Sequence, residues 1–262
     1  MQLVFMKVTV CELSDNEDDF IQDWNELTIH LDQNRSDLLL LPELPFSKWI
    51  AYEKEVNPES KMKSVEKHET WMMKMERLNV NHIVYSKPVI ARDKFFNTAF
   101  VYVKGKGHFK IHTKCLFPEE PLFWEETWFD RDEEKFELLE LDGIKIGVLL
   151  CTEMWFTEHA RHYAKQGIDI LLCPRSTGMS VDRWIRCGQT LAIIAGSFCL
   201  SSNRSGCGDQ NFQWGGSGWI AEPMSGNLLG ITTPYERFIT AEIDIAKSRE
   251  AKKEYPLYVK GY

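Results

Sequence analysis

The sequence contains no long apolar run. No stretch approaches the ~20 consecutive apolar residues that a membrane-spanning helix needs. The opening segment, MQLVFMKVTVCELS, is too short and alternates too strongly between apolar and polar residues for a secretory signal peptide. The sequence therefore predicts a protein that has no membrane partner.

Paired cysteine motifs are also missing. The sequence has 7 cysteines, an odd number at irregular spacings, and no C-x-x-C pair. This excludes a zinc ribbon and a thioredoxin-type redox motif. Free thiols in a chain of this size favour a reducing compartment, so we predict a cytoplasmic location. We predict no metal and no cofactor.

Positive charge is scarce. Lys and Arg number 31 against 39 Asp and Glu, which gives a net charge of −8. Nucleic-acid binding needs a basic surface, so nucleic acid is excluded as the main partner. The chain also lacks repeats, low-complexity segments and linker-like stretches. Its 262 residues can bury a large core without disulfides, and we expect a single domain over residues 1–262.

Strand and helix patterns alternate along the chain. Strands are predicted at 3–10, 37–41, 82–90, 97–103, 144–150, 168–172, 216–222, 227–232 and 237–244, and FCLSSNRSG reads as a strand that runs into a loop. Helices are predicted at 18–31, 60–78, 157–166, 181–196 and 245–254. The segment 108–130, which contains Pro118 and Pro121, is expected to be mostly loop. This order predicts an α/β fold with a mixed sheet.

Three chemically reactive residues each follow an apolar stretch. Glu43 follows DLLLLP, Lys114 follows GHFKIHT, and Cys151 follows IKIGVLL. In α/β folds the carboxyl ends of strands gather reactive side chains in one crevice. A cysteine between a strand and a helix is well placed to react, because the turn exposes the sulfur and the helix dipole favours the thiolate. Cys151 is therefore the candidate nucleophile.

A cysteine nucleophile needs a base, and histidine is the usual one. Here the histidines do not fit that role. His112 alternates with Lys114 on one strand face, and His159 and His162 are predicted on the solvent face of the helix after Cys151. A carboxylate is the better candidate for the base.

These segments resemble the nitrilase-like carbon–nitrogen hydrolases over nearly the whole chain. The resemblance is carried, in this order, by LLLLPEL, NTAFVYVKGKGHFKIHTKCLFPEEPLFWEETWF, GVLLCTEMWFTEHAR, NRSG (203–206), GGSGWIAEPMSGNLL (215–229) and ITAEIDIAKSREAKKEYP. The part EEPLFWEETWF is similar to the same region of N-carbamoyl amine and N-carbamoyl amino acid amidohydrolases. Each segment alone is weak evidence, but together in this order they are specific.

The resemblance implies a role for each matching residue. Cys151 would attack the substrate and form a thioester, and Glu43 would act as the general base. Lys114 and the backbone N–H of Thr152 would hold the oxyanion. Glu125 would be the second glutamate of the family, which positions the substrate or assists the proton transfers.

Alternatives remain for two of these positions. Lys110 competes with Lys114, although counting from Asn97 favours Lys114. Neighbouring carboxylates compete with Glu125, although the surrounding WEETWF matches the family best at Glu125; the competitors are Glu119, Glu120 and Glu126.

Three residues are candidates for substrate binding. Trp124 and Trp155 could form walls of the pocket, although core packing is the ordinary fate of aromatic residues. Arg175 follows a strand and could bind a carboxylate or phosphate group through its guanidinium fork. A structural ion pair is an equal alternative for Arg175.

The sequence also departs from the family pattern. Thr152 stands where an aromatic residue is usual, and Thr157 stands where proline is common. Met154 and Trp155 replace the arginines that N-carbamoyl amino acid hydrolases carry after the nucleophile. These departures change the expected pocket wall and leave the core chemistry in place.

The resemblance implies a four-layer α-β-β-α sandwich that pairs through helices 157–166 and 181–196 into a homodimer or a higher homo-oligomer. The expected activity is hydrolysis of a small linear amide or carbamoyl (ureido) compound with release of ammonia. A nitrilase, an acyl transferase that uses an amine acceptor, and a non-catalytic scaffold on the same fold are the alternatives.

Overall fold

The computed structural model describes residues 5–133 and 135–259. Its strands are β1 (Phe5–Ser14), β2 (Ser36–Leu40), β3 (Val80–Ala91), β4 (Lys94–Val103), β5 (Gly107–Thr113), β6 (Leu139–Leu141), β7 (Ile144–Val148), β8 (Ile170–Arg175), β9 (Phe198–Ser205), β10 (Trp219–Ala221), β11 (Leu228–Ile231) and β12 (Phe238–Asp244). Its α-helices are α1 (Glu17–Gln33), α2 (Pro58–Met75), α3 (Glu125–Trp128), α4 (Thr157–Gln166), α5 (Val181–Ala195) and α6 (Ile245–Ala251). Two 3-10 helices cover Cys151–Trp155 and Asp209–Asn211.

The strands follow the order β5-β4-β3-β2-β1-β9-β8-β7-β6, while β12 pairs with β1, and β10 joins β9 to β11. Strand β1 belongs to both halves of this system. Its residues 8–10 pair in parallel with β2, and its residues 12–14 pair in parallel with β9. Parallel pairs form the centre of each half, and antiparallel hairpins such as β3–β4 and β6–β7 form the edges. The predicted mixed sheet is confirmed.

The two halves pack face to face with helices outside them. Along β2, Leu38 and Leu40 point into the inner core, whereas Leu39 belongs to the outer cluster with residues of α1 and α2. Along β8, Leu172 points inward and Leu171 faces α4 and α5. Because side chains alternate along a strand, a continuously apolar strand can serve both cores. The layers are α-β-β-α, as predicted.

Helix ends are fixed by local sequence. Asn16 caps α1 by accepting hydrogen bonds from the backbone N–H groups of Asp18 and Asp19. Helix α4 ends at Gly167, whose φ of 80° is the left-handed conformation that glycine adopts without strain. The predicted bounds of this helix, 157–166, are confirmed. None of the described helices is long and apolar enough to cross a bilayer.

Two expectations were wrong in detail. The segment 108–130 is mostly loop, as expected, but its first residues belong to β5, which pairs with β4 along Gly107–Thr113. Its end carries the short helix α3. His159 does not face solvent: its side chain is buried, and its ring stacks on that of Phe136 with 3.8 Å between the centroids.

Candidate active site

The ends of three strands bring Glu43, Lys114 and Cys151 to one edge of the sheets, beside Glu125 at the start of α3. The Nζ atom of Lys114 lies 2.8 Å from Oε1 of Glu43 and 2.5 Å from Oε2 of Glu125. Lys114 and Glu43 are 0% exposed, Glu125 is 1% exposed and Cys151 is 3% exposed. The structure therefore gathers these four predicted residues in one buried site.

Two carboxylates share one ammonium group in this site. Burial alone would lower the pKa of Lys114, but the adjacent Glu125 and Glu43 carboxylates outweigh burial and raise it. Burial, together with the charge of Glu43, raises the pKa of Glu125 to about 8 even though Lys114 opposes the shift. Lys114 therefore stays charged, and Glu125 retains its proton near neutral pH.

The two carboxylate oxygens of Glu43 have different surroundings. Oε1 accepts hydrogen bonds from Nδ2 of Asn97 and from Nζ of Lys114, both at 2.8 Å. Oε2 has no hydrogen-bond partner among the described residues. The backbone of Glu43 is held as well, because its N–H donates to the carbonyl of Arg175 and its carbonyl accepts from Oγ of Ser176. One oxygen is fixed and the other is available to accept a proton.

Cys151 opens the 3-10 helix with a φ of 49°, a left-handed conformation that is strained for a residue with a side chain. Its Sγ lies 4.0 Å from the carbonyl oxygen of Ser176. Burial and the charge of Glu43 raise the pKa of the thiol, although Lys114 acts in the opposite direction. The expectation of an exposed sulfur with a stabilised thiolate was wrong, because the turn lies beneath the surface.

A buried glutamate fixes the turn that carries Cys151. The carboxylate of Glu153 accepts from the backbone N–H groups of Leu150 and Cys115, each at 2.8 Å, and lies 2.8 Å from Nε2 of His112. Burial would raise the pKa of Glu153, but His112 and these hydrogen bonds lower it below its ordinary value. The pKa of His112 is raised, because Glu153 outweighs the effect of burial.

Sequence reasoning did not identify this pair. The available signal was a glutamate two residues after the nucleophile, inside an apolar segment, together with a histidine on a strand next to Lys114.

A cavity of about 470 Å³ opens above Cys151. Cys151, Glu125 and Thr152 lie on its wall, as does the predicted Trp155. Most of the remaining surface is aromatic or small, with Phe123, Trp184, Phe212, Ser176, Thr177 and Gly178 among its residues. Trp124 is half-buried and is not among the described residues that line the cavity.

Of the competing residues, Glu120 lines the cavity, whereas Lys110 and Glu126 lie elsewhere. Lys110 is exposed and pairs with Asp132 at 3.0 Å, so Lys114 is the lysine that meets Glu43. Glu126 is exposed and pairs with Arg131. Within residues 5–133 and 135–259, no group of three His, Cys, Asp or Glu side chains could hold a metal ion.

A family model described as carbon-nitrogen hydrolase matches residues 7–253 of the chain. The chain belongs to the carbon–nitrogen hydrolase family. A solved carbon–nitrogen hydrolase from Helicobacter pylori G27 has a TM-score of 0.85 to this chain at 20% identity, and the match covers 97% of this chain and 94% of that one. That likeness supports the fold.

Two curated relatives are amidases. The chain is 24% identical over 183 residues to the N-carbamoylputrescine amidase of Solanum tuberosum, a match that spans 64% of this chain and 61% of that protein. It is 25% identical over 237 residues to the 2-oxoglutaramate amidase of Bacillus subtilis (strain 168), which covers 89% of this chain and 88% of the relative.

The chain has two buried arginines near the site. Arg204 pairs with Asp15 at 2.5 Å and donates to the backbone carbonyls of Glu43 and Leu44. Since Leu44 has a φ of 46°, these bonds hold a strained turn directly after Glu43. The NRSG segment contributes to the resemblance to the family, but the sequence does not predict the contact between Arg204 and the turn after Glu43.

Arg175 is 0% exposed and makes no ion pair with a described residue. It donates to Oγ of Ser201 and Oγ1 of Thr177 and to the carbonyl of Ser217, and its Cζ lies 4.1 Å from the ring centroid of Trp219. Burial lowers its pKa to about 10. The alternative of a structural ion pair was wrong within the described residues. Substrate contact by Arg175 stays a prediction, and its side chain lies outside the described cavity wall.

Proposed function

We propose that this chain hydrolyses a non-peptide carbon–nitrogen bond in a small linear amide or carbamoyl compound and releases ammonia. The observation that carries the proposal is the arrangement around Glu43. Oε2 of Glu43 has no hydrogen-bond partner among the described residues. The same site holds the buried thiol of Cys151, whose pKa is raised, and the buried ammonium group of Lys114. A protonated buried thiol needs a base, and a developing oxyanion needs a cation.

The first half-reaction forms a thioester. Glu43 takes the proton of the Cys151 thiol as the sulfur attacks the carbonyl carbon, and the carbonyl electron pair moves to oxygen. Lys114 and the N–H of Thr152 stabilise that oxyanion. Hydrolases lose about 2.7–4 kcal/mol of transition-state stabilisation when one such donor is removed. The tetrahedral intermediate then collapses, and Glu43 gives its proton to the nitrogen that leaves as ammonia.

The second half-reaction returns the enzyme to its starting state. Water attacks the thioester carbon while Glu43 accepts a proton from it, and the collapse of the intermediate breaks the carbon–sulfur bond. The sulfur leaves as the thiol after it regains the proton from Glu43. Glu125 holds Lys114 in place from the opposite side and lines the cavity, so it is proposed to position the substrate as well.

The cavity limits the substrate to small molecules. Its volume of about 470 Å³ lies near the lower end of ordinary ligand pockets. The names of both amidase relatives point to short linear substrates with a terminal amide or carbamoyl group. These observations support an amide or ureido substrate for this chain.

The test is ammonia release from a panel of amides, ureido compounds and nitriles, run with wild type and Cys151→Ala. We expect release from amides or ureido compounds and none in the variant. Hydrolysis of nitriles alone would identify a nitrilase, and products captured by an added amine would identify an acyl transferase. Equal rates in wild type and Cys151→Ala would overturn the nucleophile assignment.

We also propose a homodimer or higher homo-oligomer in a reducing, cytoplasmic setting. Exposed apolar side chains near the starts of α4 and α5 support the assembly: Phe156 is 38% exposed and Met179 is 68% exposed. All seven cysteines are free thiols, which supports the setting. Size-exclusion chromatography with light scattering tests the assembly, and a species of the chain mass, 30.6 kDa, would contradict it.

A further inference from the structure

Two charged side chains on the cavity wall have no ionic partner in the protein. Glu120 and Arg183 line the cavity beside Cys151, and both residues are exposed. Neither forms an ion pair with any residue that the structure describes. The neighbouring carboxylate does: Glu119 lies 3.9 Å from Lys54 and hydrogen-bonds Thr127. Glu120 and Arg183 therefore stay available to a molecule that enters the cavity.

The other charged groups near the cavity are already bound. Glu125 is 1% exposed and bonds Lys114, which in turn bonds Glu43. Arg175 lies outside the described wall and uses its donors within the protein. Among the described residues that line the cavity, Glu120 and Arg183 are therefore the two ions that remain unpaired.

Arg183 is placed to recognise a carboxylate. It lies in the first turn of α5, and its Cζ is 5.6 Å from the ring centroid of Trp155, which also lines the cavity. The ring face attracts the planar guanidinium and limits its motion. Its N–H groups make no side-chain hydrogen bond with a described residue, so the fork can bind both oxygens of a carboxylate. The ionised carboxylate of Glu120 only accepts, and an ammonium group matches it.

We propose that the substrate is a zwitterion, an α-amino acid whose side chain ends in an amide or ureido group. Arg183 binds the α-carboxylate, Glu120 binds the α-ammonium group, and the far carbonyl lies against Cys151. This inference rests on the proposed function, since Cys151 fixes the reacting end. A substrate with one charge or none would leave Glu120 or Arg183 without a partner in the cavity.

The test compares four ω-ureido compounds of equal chain length, with a zwitterionic, acid-only, amine-only or uncharged tail. Wild type is expected to have the lowest KM for the zwitterion. Arg183→Met should raise KM roughly tenfold, which corresponds to about 1.4 kcal/mol, for the two carboxylate-bearing compounds, because they lose a charged hydrogen bond. Glu120→Gln should raise KM for the two ammonium-bearing compounds. In each case kcat and the remaining compounds should change little.

Arg186→Met is the matched control, because Arg186 lies one turn further along α5 and outside the described wall of the reaction cavity. Its KM values should equal those of wild type. The inference is overturned if the amine-only, acid-only or uncharged compound is the best substrate, or if both wall variants leave every KM unchanged. Hydrolysis of any panel member would still sustain the proposed function. Ammonia release from none of them would overturn the inference, and the amides of the first panel would then decide the proposed function.

Discussion

Lys114 and Glu43 form a fully buried ion pair, with 2.8 Å between Nζ and Oε1. A buried ion pair is costly to assemble, because both charges lose their hydration. Here the cost is offset by a second carboxylate, Glu125, and by the Nδ2–H of Asn97, which donates to the same oxygen of Glu43. The pair orients the carboxylate of Glu43 so that its other oxygen is free of hydrogen bonds.

Removal of the ammonium group is expected to damage folding as well as activity. In Lys114→Met two buried carboxylates lose their cation, which typically costs about 3–5 kcal/mol of the free energy of unfolding. Urea unfolding measures that loss, and ammonia release should vanish. The double variant Lys114→Met/Glu125→Gln should recover part of the stability and none of the activity.

Lys110→Met is the matched control for this prediction. Lys110 is exposed and pairs with Asp132 at the surface, where ion pairs contribute little. Its stability and activity should stay close to those of wild type. If Lys114→Met were as stable as Lys110→Met, the buried Glu43 and Glu125 would not depend on the ammonium group of Lys114 for their stability.

The raised pKa of Glu125 predicts how stability depends on pH. Its pKa is 4.5 as an unperturbed group and about 8 in the folded chain. Between these values the folded state holds a proton that the unfolded state has released. The contribution of Glu125 to the free energy of unfolding is therefore full below pH 4.5 and is lost as the pH rises through about 8.

The side chain at position 125 cannot titrate in Glu125→Gln. Its free energy of unfolding should therefore fall less between about pH 5 and about pH 8 than that of wild type. Urea unfolding at each pH measures this difference. Glu126→Gln, a change at the neighbouring exposed residue, should keep the wild-type slope. Identical slopes in all three proteins would show that Glu125 is not the group that retains the proton.

The mixed sheet and the meeting of Glu43, Lys114 and Cys151 could be predicted from local patterns, and the four-layer arrangement from the resemblance to the family. A continuously apolar strand such as DLLLL is typical of a strand buried between two layers. Gly167 ends α4 because glycine adopts the left-handed conformation without strain. Glu43, Lys114 and Cys151 directly follow such strands, so the topology brings them together.

Other features depend on tertiary contacts that no local pattern encodes. His159 has the spacing of a solvent-facing residue, yet the loop that carries Phe136 folds over it. Arg175 follows a strand like the catalytic residues, but Trp219, more than forty positions later, covers its guanidinium. The burial of Cys151 likewise follows from the loops around the cavity, and burial reverses the pKa shift expected from a helix dipole.

Glu153 is expected to be needed for the geometry of Cys151, the proposed nucleophile. Glu153→Ala removes the acceptor for two backbone N–H groups and leaves the buried His112 without its counter-charge. Loss of one partner of a buried pair typically costs about 3–5 kcal/mol. We expect a lower kcat at similar KM, because the turn that carries Cys151 is displaced while the cavity wall remains.

Glu153→Gln should recover part of the kcat, since it keeps an acceptor for the N–H of Leu150 or Cys115. Glu158→Ala, at an exposed position on α4, is the control and should behave as wild type. A normal kcat in Glu153→Ala, measured by ammonia release at saturating substrate, would count against this role.

The charge of Arg175 is expected to assist ionisation of the Cys151 thiol. Arg175 makes no ion pair with a described residue, and the thiol of Cys151 is the neighbour that most favours its charged form. A guanidinium near the thiol favours the thiolate by Coulomb attraction, although Lys114 is the cation that most lowers the pKa of Cys151. Arg175→Met should therefore slow alkylation of Cys151 by iodoacetamide at pH 8, whereas Arg175→Lys, which keeps a positive charge, should retain more of the wild-type rate.

These rates are best measured in a Cys207→Ser background, because Cys207 is the exposed cysteine and would consume the reagent first. Mass spectrometry of the peptide that contains Cys151 gives the rate, and thermal unfolding reports the stability of each variant. A structural role alone would lower the melting temperature in both Arg175 variants without separating their alkylation rates. Equal rates in Arg175→Met and Arg175→Lys would thus assign the arginine to packing, through Trp219 and Thr177, and not to the charge balance of the thiol.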